Sequence, residues 1–292
     1  MFRVLIAFFG LTTAIAFAAS PQLREVAIDQ LRSVAEPLFE HGVVAEPRFD
    51  AFYTDMVESL PPQEKVERAL ELAINRRVGA AEYVMSNAQS WRGQFTSTPK
   101  LRSLINTSAD ASMMEIRMAG FEIYLAQYGL EKSVGEADRM LAQLAADPKD
   151  RGAWALWNLG VLGARGVDRE RIYNELLSTL SGSDADLRRV SLEALATFGG
   201  VESIAPLLDV ATHELDANLR ERAFCALAQS GTLLVAERYE AVPGLLAIAE
   251  DAHADKQSVA WAYQALREIT DSYGIPDDGA AWRDHLRAAG LL

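Results

Sequence analysis

This chain lacks most of what metal, disulfide or phosphate chemistry requires. Cys225 is the only cysteine in 292 residues. An internal disulfide is therefore excluded, and no cysteine pair is present to hold zinc. The four histidines, His41, His213, His253 and His285, are widely scattered. His253 and Asp255 stand close in sequence, but a third nearby ligand is missing, so a solvated loop is expected there. There is no Gly-rich phosphate loop, no Gly-x-Ser-x-Gly and no His-Glu-x-x-His. Lys and Arg number 28 against 41 Asp and Glu, a net charge of −13. That balance argues against binding nucleic acid through a basic field and points, weakly, to a basic partner or a cation. Strand-like alternation of useful length is absent, and beyond the N-terminus no apolar run is long enough to cross a bilayer.

What is present begins with a leader. Arg3 supplies a positive start, and Val4 to Phe17 is an uncharged apolar run. Ala16-Phe17-Ala18 fits a small-x-small cleavage site, so residues 1–18 read as a signal peptide and the mature chain as starting at Ala19. Loss of Arg3 takes the charge from −13 to −14. The expected localisation is exported, periplasmic or secreted, with no membrane span in the mature chain. The competing reading keeps the leader as an anchor. Cys225 falls in an apolar-rich helix, where a quiet, partly covered thiol is expected.

The body of the chain is organised by a repeat. Asp184-Ala185-Asp186-Leu187-Arg188 leads into Ser191-Leu192-Glu193-Ala194-Leu195, and 32 positions later Asp216-Ala217-Asn218-Leu219-Arg220 leads into Ala223-Phe224-Cys225-Ala226-Leu227. Each reads as an Asp N-cap, a helix with a wide apolar face and a Gly stop. The register extends over five helices centred on Tyr124, Leu159, Leu195, Leu227 and Leu266. Four residues before each centre stands a small residue: Gly120, Ala155, Ser191, Ala223 and Ala262. Three before stands a large one: Phe121, Leu156, Leu192, Phe224 and Tyr263. Large residues fill space between helix layers, and small ones let neighbouring helices approach. Gly163, Gly199 and Gly231 share one position, expected to end each helix in a left-handed conformation. First helices are expected over 133–146 and 168–180, and at Pro206 and Pro243.

Upstream, amphipathic helices are expected over 22–40, with a kink or stop at Pro37, then near 48–59, 66–74 and 76–89. Residues 90–100 form the longest turn-like stretch, but Trp91 and Phe95 argue for an ordered, packed loop. The reading divides the chain into a leader (1–18), an N-terminal helical region (19–109), a repeat array (110–275) and a closing helix (276–292). In that last helix Trp282 and Leu286 are expected to cover the final repeat. The fold class is all-α, a right-handed α-solenoid of stacked antiparallel helix pairs.

These motifs resemble HEAT repeats of the short bacterial type, which are similar to armadillo arrays and to phycobilin-lyase-like repeats. The resemblance rests on the Asp-x-x-x-Arg lead-ins Asp184/Arg188 and Asp216/Arg220, the Ala-Leu pairs at 194/195, 226/227 and 265/266, and Ala-Pro-Leu-Leu at 205–208. It covers roughly 110–275, and the last unit departs from it, with Val259 where Arg188 and Arg220 stood. It implies a non-catalytic protein- or peptide-binding scaffold without cofactor or metal. HEAT-type deoxyhypusine hydroxylases hold iron with several His-Glu pairs, whereas this chain has only His213-Glu214. In such arrays the second helices line the concave side. That places Glu122, Trp157, Glu193, Cys225 and Gln264 on an outward stripe, with Arg189 four residues before Glu193. Trp154, Trp157, Arg189, Glu193, Arg222 and Trp261 are the binding candidates, because Trp and Arg dominate binding energy at interfaces. Arg188 and Arg220 are expected to pair inside the array. The alternative function is an enzyme or cofactor-binding protein using the same groove.

Overall fold

A computed structural model describes residues 48–292. The leader, its cleavage site, the helix expected over 22–40 and His41 lie outside the described residues. Within them the chain is all-helical and contains no β-strand. No described helix is long and apolar enough to cross a membrane.

The first helices are α1 (Ala51–Glu58), α2 (Pro62–Ile74) and α3 (Ala80–Asn87). Pro62 opens α2, where its missing N–H is not needed. A 3₁₀ turn, Ala88–Trp91, leads into the stretch rich in turn residues. Trp91 and Phe95 in that stretch are both buried. Thr98 then caps α4 (Pro99–Ala109) by accepting from the Leu101 amide, and its hydroxyl donates to Glu67 Oε1 at 2.7 Å. One threonine thus both starts a helix and ties it to α2.

Thereafter helices alternate as α5 (Met114–Gln127), α6 (Val134–Ala146), α7 (Gly152–Ala164), α8 (Arg169–Leu180), α9 (Ala185–Phe198), α10 (Ile204–His213) and α11 (Ala217–Ala228). A single turn, α12 (Val235–Arg238), precedes α13 (Val242–Glu250), α14 (Lys256–Thr270) and α15 (Gly279–Ala288). The Asp lead-ins act as N-caps. Asp184 accepts from the amides of Asp186 and Leu187, Asp216 from Asn218, and Asp255 from Gln257 and Ser258. Each satisfies backbone donors that the first helical turn would otherwise leave unpaired.

The helices from α4 to α11 pack in sequential pairs, α4 on α5, α6 on α7, α8 on α9 and α10 on α11; α13 packs on α14, and α7, α9, α11 and α14 touch in succession. The small column explains the tight pairing. A Cβ on Gly120 would lie 1.8 Å from Ser108 Oγ on α4. Ser191 donates to the Leu176 carbonyl of α8 at 2.6 Å. Ala155, Ala223 and Ala262 are fully covered. The large column, Phe121, Leu156, Leu192, Phe224 and Tyr263, is buried throughout. One buried cluster runs from α5 to α15, and a second joins α1–α5. Helix α5 serves both: Phe121 and Leu125 face the first cluster, Ala119 and Ile123 the second.

Arg188 gives both oxygens of Glu214 a hydrogen bond at 2.8 Å. Arg220 reaches Asp255 at 3.2 Å and the Glu214 carbonyl at 2.8 Å. Each lead-in arginine therefore joins its own helix to the corner of the next pair. Trp282 and Leu286 of α15 are fully covered, and α15 lies against α13.

Gly163 departs from expectation. Gly199 and Gly231 do take positive φ, at 66° and 71°, but α7 continues past Gly163 to Ala164, and Gly166 supplies the turn. The ring of Phe198 occupies the space a side chain would take, 2.3 Å from a Cβ built on Gly163. Its glycine serves close helix contact, not helix ending.

Candidate functional site

The second helices α7, α9 and α11 line a groove of about 730 Å³, the size range of a ligand pocket. Trp157 on α7, Arg189 and Glu193 on α9, and Arg222 and Cys225 on α11 all face it. The periodicity puts them there. Arg189 and Glu193 are one turn apart on one helix face, as are Glu221 and Cys225. Glu193 Oε1 accepts from Arg189 at 3.1 Å and from Arg222 at 2.5 Å. One carboxylate thus joins two helices and neutralises both guanidiniums in part. Tyr124 on α5 sits beside Trp157, and burial pushes its hydroxyl well above the usual tyrosine range.

Two of the six candidates lie outside this groove. Trp154 turns toward α6, with the Arg139 guanidinium 5.9 Å from its ring centre. Trp261 lies 6.0 Å from Phe224 and lines a separate small crevice with Cys225 and Gln264. A helix face is wider than a single stripe, and these two rings fill the space between neighbouring helices.

Glu122 corrects the outward stripe. It is fully buried, and its Oε1 accepts from Lys132 at 2.8 Å and from Arg165 at 2.7 Å. α5 is covered on both sides, so a position that would face outward on α9 is interior here. Glu122→Gln is expected to lower stability by about 1–2 kcal/mol, less than a fully buried pair would cost, because both cations keep part of their exposure. Chemical denaturation measures it, and a midpoint equal to the parent's would refute it.

The groove's remaining wall comes from residues that spacing did not reveal. Asp110, at the C-terminal end of α4, and Phe121 of α5 line it opposite α9 and α11. Arg117 ties this wall to the end of α11. This buried side chain donates to the carbonyls of Gln229 (3.0 Å), Gly231 and Ala111. Arg238 donates to the carbonyls of Ala226 (2.8 Å), Leu227 (2.7 Å) and Ser230 (3.0 Å). Two guanidiniums therefore satisfy the carbonyl end of α11, where the helix dipole is negative. Burial, and then the neighbouring charge of Arg117, pulls the Arg238 pKa down to about 10, so it stays charged at neutral pH. A link of more than a hundred residues leaves no local pattern to read.

Burial pushes the Cys225 thiol above the usual cysteine value; Glu221 and Glu268 add to that, and Arg222 opposes it. The thiolate is the reactive form, so little is present at neutral pH. Alkylation by iodoacetamide at pH 7.5 is expected to run at least about fivefold slower in the native chain than in urea. Equal rates would show an open, ordinary thiol.

A second groove, of about 790 Å³, lies between the α10–α11 and α13–α14 corners. His213 and His253 both line it, and His213 Nδ1 is 2.9 Å from Asp209. Among the described residues no three His, Cys, Asp or Glu side chains are grouped to hold a metal ion. Comparison of the chain with protein-family models, with curated proteins and with solved structures finds no match in any of the three.

Proposed function

We propose that the helix pairs form a right-handed, HEAT-like α-solenoid whose groove holds a protein or peptide partner, in a non-catalytic scaffold exported to the cell envelope. The observation that carries this reading is the groove on α7, α9 and α11, where an aromatic ring and two arginines on successive helices share one concave surface. Helix pairs stacked in chain order give such surfaces without any catalytic constellation. The ion pairs of Arg188 and Arg220 support the same reading, because each ties one pair to the next and keeps the surface continuous.

The test is capture of partners from an envelope fraction with the immobilised chain, repeated with Trp157→Ala and with Arg189→Glu. A partner lost with Trp157→Ala, and held either more or less tightly with Arg189→Glu, supports the groove. A partner held equally by parent and both variants binds elsewhere and overturns the proposal. Sequencing the N-terminus of the exported protein tests the leader: a start at Ala19 supports cleavage, and a start at Met1 supports an anchor.

A further inference from the structure

We infer that the occupant of this groove is cationic, a peptide stretch carrying Lys or Arg beside an apolar residue. The inference rests on the groove being a binding surface, and it adds the chemistry of the partner.

Five carboxylates line the groove, those of Asp110, Asp186, Glu193, Asp216 and Glu221, against two guanidiniums, those of Arg189 and Arg222; the difference is three negative charges. Both guanidiniums already share Glu193. They are therefore weak anchors for an anionic partner, which would have to displace an ion pair on each. Among the described residues, no ion pair reaches Asp186, Asp216 or Glu221, whereas the charge of Asp110 is offset in part by the nearby buried guanidinium of Arg117. Asp186 and Asp216 lie at the positive ends of α9 and α11, which offsets part of their charge. Glu221 lies inside α11, and Asp110 lies at the carbonyl end of α4, where the helix dipole adds to the negative potential. A concave, partly apolar surface concentrates that potential.

The apolar part of the wall fits the same occupant. Phe121 and Trp157 stand at one side and Leu192 and Ala196 form part of the floor. The Trp face attracts a cation, and the aliphatic stems of Lys and Arg cover apolar surface while their heads remain among the carboxylates. Complementary charge mainly sets partner choice and association rate, so the preference is expected to weaken with salt.

Panning a random-peptide library on the immobilised full chain tests this without presupposing a sequence. Binders that depend on the groove are those lost with Trp157→Ala. These are expected to be at least about twofold enriched in Lys and Arg over the input library. A representative basic peptide is expected to bind about tenfold more weakly to the double variant Asp186→Asn, Glu221→Gln, as follows from two partly exposed charge contacts. Both substitutions lie on the helix surface, and an unchanged melting curve shows that the fold is kept. Trp157-dependent binders of neutral or acidic composition would overturn the cationic occupant and leave the groove reading intact. The same holds for a basic binder indifferent to the double variant. A library yielding no Trp157-dependent binder would overturn both.

Discussion

Arg117→Met is expected to lower the stability of the chain by about 3 kcal/mol, seen as a fall of roughly 6–12 °C in melting temperature for a body of this size. Three partly buried hydrogen bonds, to the carbonyls of Ala111, Gln229 and Gly231, lose a charge-assisted donor at once. Each such bond contributes about 1.5–3 kcal/mol, so the simple sum would be larger. Two effects oppose it. Burial pulls the Arg117 pKa below its ordinary value, so its removal relieves a desolvation cost, and it also relieves repulsion of the nearby Arg238. The carbonyls decide the sign, because methionine matches the volume and offers them nothing. Arg117→Lys keeps the charge but not the planar fork that spans several acceptors, and is expected to recover less than half of the loss. Arg102→Met, which removes only exposed contacts to Ser97, is expected to change stability by less than about 0.5 kcal/mol. Because Arg117 ties the wall that carries Phe121 and Asp110 to the end of α11, the tryptophan emission of Arg117→Met is also expected to shift to the red at temperatures where the helices persist. A variant as stable as the parent, with unchanged emission, would show that the α5 to α11 link is dispensable.

The helices and their pairing were legible in the sequence because both depend on short spacing. Asp184, Asp216 and Asp255 announce helix starts, since a carboxylate can accept from the first-turn amides only from that place. The small and large columns of α5, α7, α9, α11 and α14 are buried as a five-fold register requires. What spacing could not show was contact made at long range. Glu122 occupies the same register position as Trp157 and Glu193, yet it is interior, because Lys132 and Arg165 arrive from other segments to hold it. Trp154 and Trp261 were grouped with Trp157 by residue type, but each packs on a different neighbour. Of the six candidates, Trp157, Arg189, Glu193 and Arg222 line one groove. Its acidic character comes from Asp110, Asp186, Asp216 and Glu221; the sequence reads Asp216 as a helix cap and puts Glu221 on the outward stripe, but gives no sign that the four share one groove. Only the shape formed by the helices gathers them.

Gly160→Val is expected to cost about 3 kcal/mol, at the upper end of what overpacking a close contact costs. A Cβ at Gly160 would lie 2.6 Å from the Ala194 carbonyl oxygen and 2.9 Å from the Ala194 Cα. Both atoms are backbone, so no rotamer change relieves the overlap, and α7 must move away from α9. That movement would also pull Gly163 off the Phe198 ring and loosen Arg169, which donates to the Gly163 carbonyl at 2.8 Å and to the Phe198 carbonyl at 3.3 Å. Gly160→Ala separates two opposed effects. Helix propensity favours alanine over glycine by about 1 kcal/mol, whereas the overlap disfavours any Cβ at all. The overlap outweighs the propensity, so Gly160→Ala is expected to lower stability by about 1–2 kcal/mol in urea denaturation. Gly135→Ala, whose Cβ would meet only Ser133 Oγ at 3.9 Å, is expected to leave stability unchanged or slightly raised. If Gly160→Ala raised stability instead, α7 and α9 would not be in backbone contact. The groove they build would then rest on side-chain packing alone, which mutation of one large residue could rearrange.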